Sequence, residues 1–255
     1  MRDQKGVMKS LAVYNIKGGV GKTSTAVNLA YLASNAGMRT LLWDIDPQGA
    51  ASFYFRVKPK IRGGLARLLD KNSSASDQIK ASDFPGLDIL PADFSYRHLD
   101  LEFGDGKKPQ SRLKRVLKDV HGDYDLLIID CPPSISLLSE AIFRTVDALL
   151  VPTIPTTLSL RTLQQLLKFL RKESLDKLTI LAFFSMADLR KNMHKEVIAV
   201  RDRLRPWIME TIIPYCSDIE RMGIRRQPVI TYAASSRASL AYEALWEEVR
   251  SGLYI

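Results

Sequence analysis

The run Lys17-Gly18-Gly19-Val20-Gly21-Lys22-Thr23 is where this 255-residue chain carries its densest chemistry. Glycines let a backbone curl until successive N–H groups face an anion, a lysine adds a point charge, and a neighbouring hydroxyl can ligate a hard cation. An apolar segment, Ser10 to Tyr14, precedes the run, and an amphipathic one, Lys22 to Ala36, follows it. Strand, glycine turn and helix in that order are what a phosphate-binding loop requires. Lys22 is then expected on the β- and γ-phosphates of a nucleotide, and Thr23 on Mg²⁺. The usual pattern has glycine five positions before Gly21; here Ile16 occupies that place and a second lysine, Lys17, is added, which makes the loop a deviant form.

Two further stations supply carboxylates. Trp43-Asp44-Ile45-Asp46-Pro47-Gln48-Gly49 closes one apolar run, and Asp130-Cys131-Pro132-Pro133 closes the aliphatic run Leu126 to Ile129. An aspartate after such a run matches the Walker B carboxylate, which fixes Mg²⁺ directly or through water. Ligands of open α/β sheets bind at the carboxyl ends of strands, so Asp46 and Asp130 are expected to converge on the phosphates. Alternation sends Asp44 and Asp46 to one face, so either could reach the γ-phosphate. Asp46, nearer the strand end, is the favoured group for orienting the attacking water and a candidate metal ligand beside Thr23 and Asp130; Asp44 reads as structural.

The elements that must position these residues follow from periodicity. Short runs rich in Val, Ile and Leu predict strands at Ser10–Tyr14, Thr40–Ile45, Leu87–Leu90, Asp125–Asp130, Ala148–Val151, Leu178–Ser185 and Ile208–Ile213. Helical patterns fall at Lys22–Ala36, Leu65–Asp70, Ser111–Val120, Leu137–Thr145, Leu158–Lys172, Met193–Leu204 and Ala238–Ser251. Strands and helices alternate, which predicts an α/β fold with an open, mostly parallel sheet and helices on both faces, in one domain over residues 1–255. The segments Lys71–Ser82 and Gly104–Gln110 read as surface loops.

Composition narrows the class further. Apolar residues at 46% and charged residues at 25% exclude a disordered chain and a disulfide-stapled miniprotein. The apolar stretch Ala148–Leu160 has 13 residues and two prolines, short of the roughly 18 that span a bilayer. The N-terminus lacks the apolar core of a signal peptide, so a cytoplasmic location is expected. Cys131 and Cys216 form no paired motif and read as small buried hydrophobes. The 37 basic and 28 acidic residues leave a net charge of +9, with most of the excess between Arg161 and Arg237. Such a balance suggests a polyanionic partner.

These motifs together resemble the ParA/MinD family of deviant Walker A ATPases and, within it, the ParA (Soj) partition ATPases. The resemblance rests on Asn15 through Thr23, Asp44-Ile45-Asp46-Pro47-Gln48-Gly49 and Asp130-Cys131-Pro132-Pro133-Ser134, with weaker support at Val151-Pro152, Asp188 through Met193, Ile213-Pro214 and Pro228-Val229. It implies ATP bound by Lys17, Gly18, Gly19, Val20, Gly21, Lys22, Thr23 and Ser24, with Met186 and Pro214 lining the adenine. Lys17 is implied to reach the nucleotide of a partner subunit, Asp46 to support hydrolysis, and ATP to close a sandwich homodimer that binds DNA without sequence preference. Arg190, Arg221, Arg225, Arg226 and Arg237 are the implied DNA contacts. A ParB-like protein is the implied stimulating partner, and the nucleoid the place of action.

The chain departs from the partition pattern at Ser159-Leu160-Arg161-Thr162, where Ala-Leu-Glu-Gly is usual, at Glu140, and at Glu220-Arg221-Met222. Nine residues before the first strand leave no room there for a helix-turn-helix domain. Two alternatives stay open: a MinD-like membrane-positioning ATPase, and a metabolic kinase or ligase. Against the first, the terminal segment Leu245–Ile255 is short and acidic for an anchor, so no membrane partner is expected.

Overall fold

Leu11 and Val13 bury against one side of a sheet, while Ala12 and Tyr14, alternating with them, bury against the other. The same division recurs at Leu126 and Ile128 against Leu127 and Ile129, which is why these strands read as unbroken apolar runs. The computed structural model describes residues 7–70, 72–98, 109–175, 177–204 and 207–255. Its strands are β1 (Lys9–Val13), β2 (Thr40–Asp44), β3 (Lys80–Ala81), β4 (Leu87–Leu90), β5 (Leu126–Asp130), β6 (Ala148–Thr153), β7 (Thr179–Ala187) and β8 (Ile208–Pro214). They form one eight-stranded sheet in the order β3-β4-β2-β5-β1-β6-β7-β8, parallel except for β3.

The helices are α1 (Lys22–Asn35), α2 (Ala50–Tyr54), α3 (Gly64–Leu68), α4 (Pro109–Val120), α5 (Leu137–Phe143), α6 (Thr157–Lys172), α7 (Asn192–Ala199), α8 (Ser217–Glu220), α9 (Met222–Arg225) and α10 (Arg237–Leu253). On one face α1 contributes Ala26, Val27, Leu29 and Ala30, and α10 adds Tyr242, Leu245, Trp246 and Val249. On the other face lie Leu113 and Val116 of α4, Ile142 and Phe143 of α5, and Leu163, Leu166 and Leu170 of α6. Helices therefore cover both faces, as expected.

Connectivity sets where a ligand can enter. From β1 the chain crosses through α1 to β2, whereas from the adjacent β6 it crosses through α6 to β7, moving away in the opposite direction. Strands β1 and β6 thus flank a topological switch point, whose crevice lies outside their carboxyl ends.

Several boundaries differ from the expected ones. The helix expected over Met193–Leu204 stops at Ala199 and gives way to a 3-10 turn, Arg201–Leu204. Within Lys71–Ser82, expected as loop, Lys80–Ala81 pairs antiparallel with β4, an edge pairing too short to show periodicity. Helix α4 begins at Pro109, earlier than expected, with proline suited to a first helical turn. The remainder of the Gly104–Gln110 loop, Gly104 to Lys108, lies outside the described residues. Helix α2 is unforeseen because five residues carry no readable period. Cys131 is buried, but Cys216 is only half-buried, because it lies on a cavity wall.

Candidate functional site

Between β1 and α1 the glycine run turns with Gly19 at φ 69° and Gly21 at φ 89°, the left-handed region that favours glycine. A Cβ on Gly21 would come within 2.9 Å of the Ser185 hydroxyl, which would have to turn aside to admit it. Gly18 and Gly19 face open space, with no atom within 4 Å of where a Cβ would stand. The loop therefore presents its backbone outward at the amino end of a 14-residue helix.

Lys22 turns back over this loop and donates from Nζ to the Lys17 carbonyl at 3.0 Å. Only 7% of it is exposed. Burial holds its ammonium below the usual lysine range, against the opposing pull of Asp130 and Asp46.

Asp130 ends β5 in register with Val13 of β1 and Asp44 of β2, which sets the two aspartates side by side. It is fully buried, and neither carboxylate oxygen has a hydrogen-bond partner. Burial first, and then the neighbouring Asp44, push its carboxyl well above the ordinary range; the Thr23 hydroxyl and Lys22 oppose that shift. Thr23 thus stands beside a carboxylate whose oxygens lack hydrogen-bonding partners. Hard oxygen donors of this kind suit Mg²⁺, which is commonly held by one or two side chains, phosphates and water. Among the described residues no group of three His, Cys, Asp or Glu side chains could form a complete protein cage.

Asp44 and Asp46 occupy different settings. Asp44 is buried, and its Oδ2 accepts from both the Ser52 amide and the Ser52 hydroxyl at 2.7 Å. Ser52 Oγ in turn accepts from the Ala92 amide at 3.0 Å, so Asp44 ties β2 to α2 and to the segment after β4. Burial pushes the Asp44 carboxyl up to about 6, with Ser52 opposing. Asp46 is half-buried in the following turn, where its Oδ1 accepts from the Gln48 amide at 2.9 Å.

Met186 and Pro214, expected beside a base, line one cavity of about 220 Å³ together with Gly19, Gly21, Ser24 and Tyr242. Met186 has φ 54°, unusual for a residue with a Cβ, and the β7–β8 register shifts between Phe184 and Ala187. That irregularity places Met186 on the cavity rim. A larger cavity, about 640 Å³, lies at the other end of the sheet beside Lys9, Asp147 and Thr179, away from the loops that carry the chemistry.

Lys17 is held at both its ends. Its amide donates to Asn15 Oδ1 at 2.9 Å, while Asn15 Nδ2 donates to the Pro152 carbonyl of β6 at 2.7 Å. Its Nζ donates to Ser159 Oγ in the first turn of α6 at 3.3 Å. The glycine pattern alone gives no sign of Asn15 or Ser159 acting on Lys17. The only sequence signal for Ser159 is its departure from the usual alanine.

The five arginines divide into three groups. Arg190, paired with Asp188 at 2.9 Å, and exposed Arg237, at the start of α10, line one cavity of about 580 Å³ with Tyr215 and Glu220. Arg221 and Arg225 are exposed on α8–α9, with Arg221 Nη1 3.7 Å from Asp218. Arg226 is engaged differently: its Nε donates to the Phe53 carbonyl at 3.0 Å, and its guanidinium carbon lies 4.4 Å from the Phe53 ring centre. It fastens α9 to the end of α2.

A mostly parallel sheet with a glycine loop at its switch point, a lysine turned over that loop and a buried aspartate on the neighbouring strand defines a P-loop nucleoside triphosphatase. Residues 8–180 match the family model of an AAA domain. Sporulation initiation inhibitor protein Soj of Bacillus subtilis is 34% identical over 247 residues, spanning 94% of this chain and 98% of Soj. Chromosome partitioning protein ParA of Caulobacter vibrioides is 31% identical over 252 residues, spanning 96% of this chain and 94% of ParA. The chain belongs to this ParA/Soj family of nucleotide-hydrolysing ATPases. Among solved structures, cobyrinic acid a,c-diamide synthase of Mycobacterium smegmatis with bound ATP analog and magnesium superposes with a TM-score of 0.79 at 26% identity, over 96% of this chain and 95% of that one. A plasmid partition protein of Borrelia burgdorferi shares the fold with a TM-score of 0.79 at 20% identity, over 96% of this chain and 99% of its own.

Proposed function

We propose that this chain is a Mg²⁺-ATP-dependent switch: ATP closes a homodimer, the dimer binds DNA without regard to sequence, and a ParB-like partner stimulates hydrolysis to release it. The observation that carries the nucleotide part is the orphaned Asp130 carboxylate beside Thr23 and Lys22, under a loop in which Gly18 and Gly19 face open space. Buried polar groups without partners are rare in native folds and mark places where a ligand completes the hydrogen bonding.

In this reading the backbone of Gly18 to Gly21 cradles phosphate oxygens and Lys22 leaves the Lys17 carbonyl to neutralise the β- and γ-phosphates. Thr23 and Asp130, with Asp46 nearby, would hold a magnesium ion, which would supply positive charge at the phosphate oxygens. Asp46 orients a water for in-line attack on the γ-phosphorus, releasing ADP and phosphate, while Asp44 holds the turn that carries Asp46. Met186, Pro214 and Ser24 line the base and its approach. A site that works by positioned charge and one oriented water turns over slowly until a partner completes the geometry.

The dimer is supported by exposed apolar side chains beyond β5 and β6: Ile135 at 51%, Leu137 at 43% and Leu158 at 66% exposure. Both strands flank β1, so these side chains surround the crevice, and a second copy would cover them. Lys17 then crosses to the partner's nucleotide. Arg190, Arg221, Arg225 and Arg237 supply exposed charge for phosphate contacts, with Arg226 grouped among them by the family resemblance. The apolar side of α10 packs in the core, and no helix among the described residues is long and apolar enough to cross a membrane. The nucleoid, and not a membrane, is therefore the proposed surface, with the chain acting as a single ATPase domain.

The test combines size-exclusion light scattering with fluorescence anisotropy on two unrelated duplexes, each run with ATP and with ADP. Dimer and DNA binding with ATP alone, indifferent to duplex sequence, is the expected result. A monomer under ATP, or equal DNA binding with ADP, overturns the switch.

A further inference from the structure

The cavity proposed to hold the base and the groove that carries Arg190 and Arg237 share a wall. Pro214, Tyr215, Cys216 and Glu220 line both spaces, the first of about 220 Å³ and the second of about 580 Å³. Among the described residues Glu220 is the one charged side chain lining the base cavity, and it is exposed at the end of α8, where the chain departs from the partition pattern. The Tyr215 hydroxyl donates to its Oε1 at 2.7 Å, and the Tyr215 amide donates to the Ala187 carbonyl of β7 at 3.0 Å, which fixes the wall. On the groove side two arginines meet two carboxylates, Asp188 and Glu220. Asp188 is engaged, because its two oxygens accept from Arg190 Nε at 2.9 Å and Nη2 at 3.0 Å. Glu220 is the carboxylate that can leave.

We infer that Glu220 couples the base to DNA: an exocyclic amine in the base cavity draws its carboxylate across the shared wall, and the groove, relieved of that charge, accepts a DNA phosphate. This rests on the ATP- and DNA-binding reading given above and assigns its regulation to a residue of this chain. The physical reason lies in what each cavity offers the carboxylate. In the base cavity an amine donates a charge-assisted hydrogen bond to it, stronger than the neutral phenol–amide kind. In the groove the same carboxylate faces an incoming phosphate, and like charges brought together weaken binding and reject the partner. A purine without the amine fills the cavity but leaves Glu220 over the groove. The identity of the base then alters DNA affinity separately from the phosphates, which act on closure. By linkage, DNA strengthens ATP binding by the same factor.

Purine riboside triphosphate, which is ATP without the exocyclic amine, separates the base from the phosphates. With hydrolysis blocked by Asp46→Ala, ATP is expected to bind about tenfold more tightly than this analogue in calorimetry, and Glu220→Ala should shrink the ratio to about twofold. At saturation with either triphosphate, and with dimer verified by light scattering, anisotropy on one duplex at fixed salt reads the coupling. The parent protein should bind DNA about fivefold more tightly with ATP than with the analogue. Glu220→Ala and Glu220→Gln should each bind it equally with the two triphosphates, at or above the parent's ATP level. Glu220→Gln keeps an acceptor for the Tyr215 hydroxyl, so an effect common to both variants comes from the charge and not from a lost wall contact. A nucleotide ratio unchanged in Glu220→Ala overturns the contact with the base. Equal DNA binding by the parent with both triphosphates overturns the coupling, and loss of dimer with the analogue does so as well, since the base would then act through closure. A parent protein that binds DNA with neither triphosphate overturns the DNA reading and with it the coupling, while the nucleotide ratio still reports whether Glu220 meets the amine.

Discussion

Asp44 and Asp130 are register partners on adjacent parallel strands, yet Asp44 accepts two hydrogen bonds from Ser52 while Asp130 accepts none. In the proposed site the inequality assigns Asp44, of which only Oδ1 lacks a partner, to holding structure and Asp130 to a ligand. Asp44→Asn keeps an acceptor for Ser52 and removes the buried charge. Because burial raises the folded Asp44 above its unfolded value, the native state binds the extra proton, so its contribution is full at low pH and is lost as pH rises from about 4 to about 6. Thermal unfolding of the nucleotide-free protein across that window should show the wild type losing stability relative to Asp44→Asn as pH increases. Parallel curves for the two proteins would mean that Asp44 is not the buried acid described.

Asp46→Ala should behave differently, because Asp46 is half-buried in a turn and not in the strand core. ATP binding by calorimetry is expected to stay within a few-fold of wild type, while phosphate release falls by about 100-fold or more, as for loss of a group acting in the transition state. An ATP-trapped dimer should accumulate in light scattering. Wild-type hydrolysis by this variant would move the water-orienting role to another group.

Lys22 is expected to matter for binding itself. In the proposed function its ammonium exchanges the bond to the Lys17 carbonyl for bonds to phosphate oxygens, in which both partners are charged. Lys22→Ala should therefore weaken ATP at least about tenfold in calorimetry without lowering the melting temperature of the nucleotide-free protein. Near-normal affinity would remove the phosphate-loop assignment.

The arginines separate by what they touch. Arg237 is exposed at the start of α10, whereas Arg226 caps the Phe53 carbonyl and stacks on the Phe53 ring. Arg237→Ala should leave melting unchanged and reduce the log–log salt slope of DNA binding by about two units in the dimer, one contact per subunit at about 0.9 each. Arg226→Ala should lower stability by about 1–2 kcal/mol in denaturant unfolding, since it loses a hydrogen bond and a cation–π contact. Equal effects of the two substitutions on melting would erase the distinction.

Much of this arrangement was legible in the sequence because it depends on local pattern. The glycine run, Lys22, Thr23 and the aspartates that close β2 and β5 are fixed by strand–turn–helix order, and alternation within Leu126–Ile129 already implies burial on two faces. What stayed hidden depends on contacts between segments far apart in the chain. Ser159 meets Lys17 across 142 positions and Arg226 meets Phe53 across 173, and neither pairing leaves a local periodicity. Helix α2 owes its place to the Asp44–Ser52 bonds as much as to propensity. The irregular register at Met186 likewise belongs to the pairing of β7 with β8, which no single run of residues records.

In the proposed dimer, closure would depend on both apolar cover and crossing charge, and the two can be removed separately. Leu158 stands 66% exposed one residue from Ser159, so Leu158→Glu would place a carboxylate where a second copy is proposed to pack. Each closed dimer would hold two such charges in a desolvated interface, which costs several kcal/mol unless they are paired. ATP-dependent dimer should then disappear at micromolar protein while calorimetric ATP binding by the monomer persists. Lys17→Gln removes the crossing charge and leaves the apolar rim intact, so ATP binding should again persist but dimer should weaken by about tenfold and hydrolysis should fall with it. If Leu158→Glu still forms dimer with ATP, the rim beyond β5 and β6 is not the closing face. If Lys17→Gln dimerises normally but is inactive, Lys17 acts within its own subunit. Dimer is read for both variants from one light-scattering titration, with ATP varied at fixed protein and hydrolysis blocked by Asp46→Ala, and activity is read separately as phosphate release by Lys17→Gln with Asp46 intact.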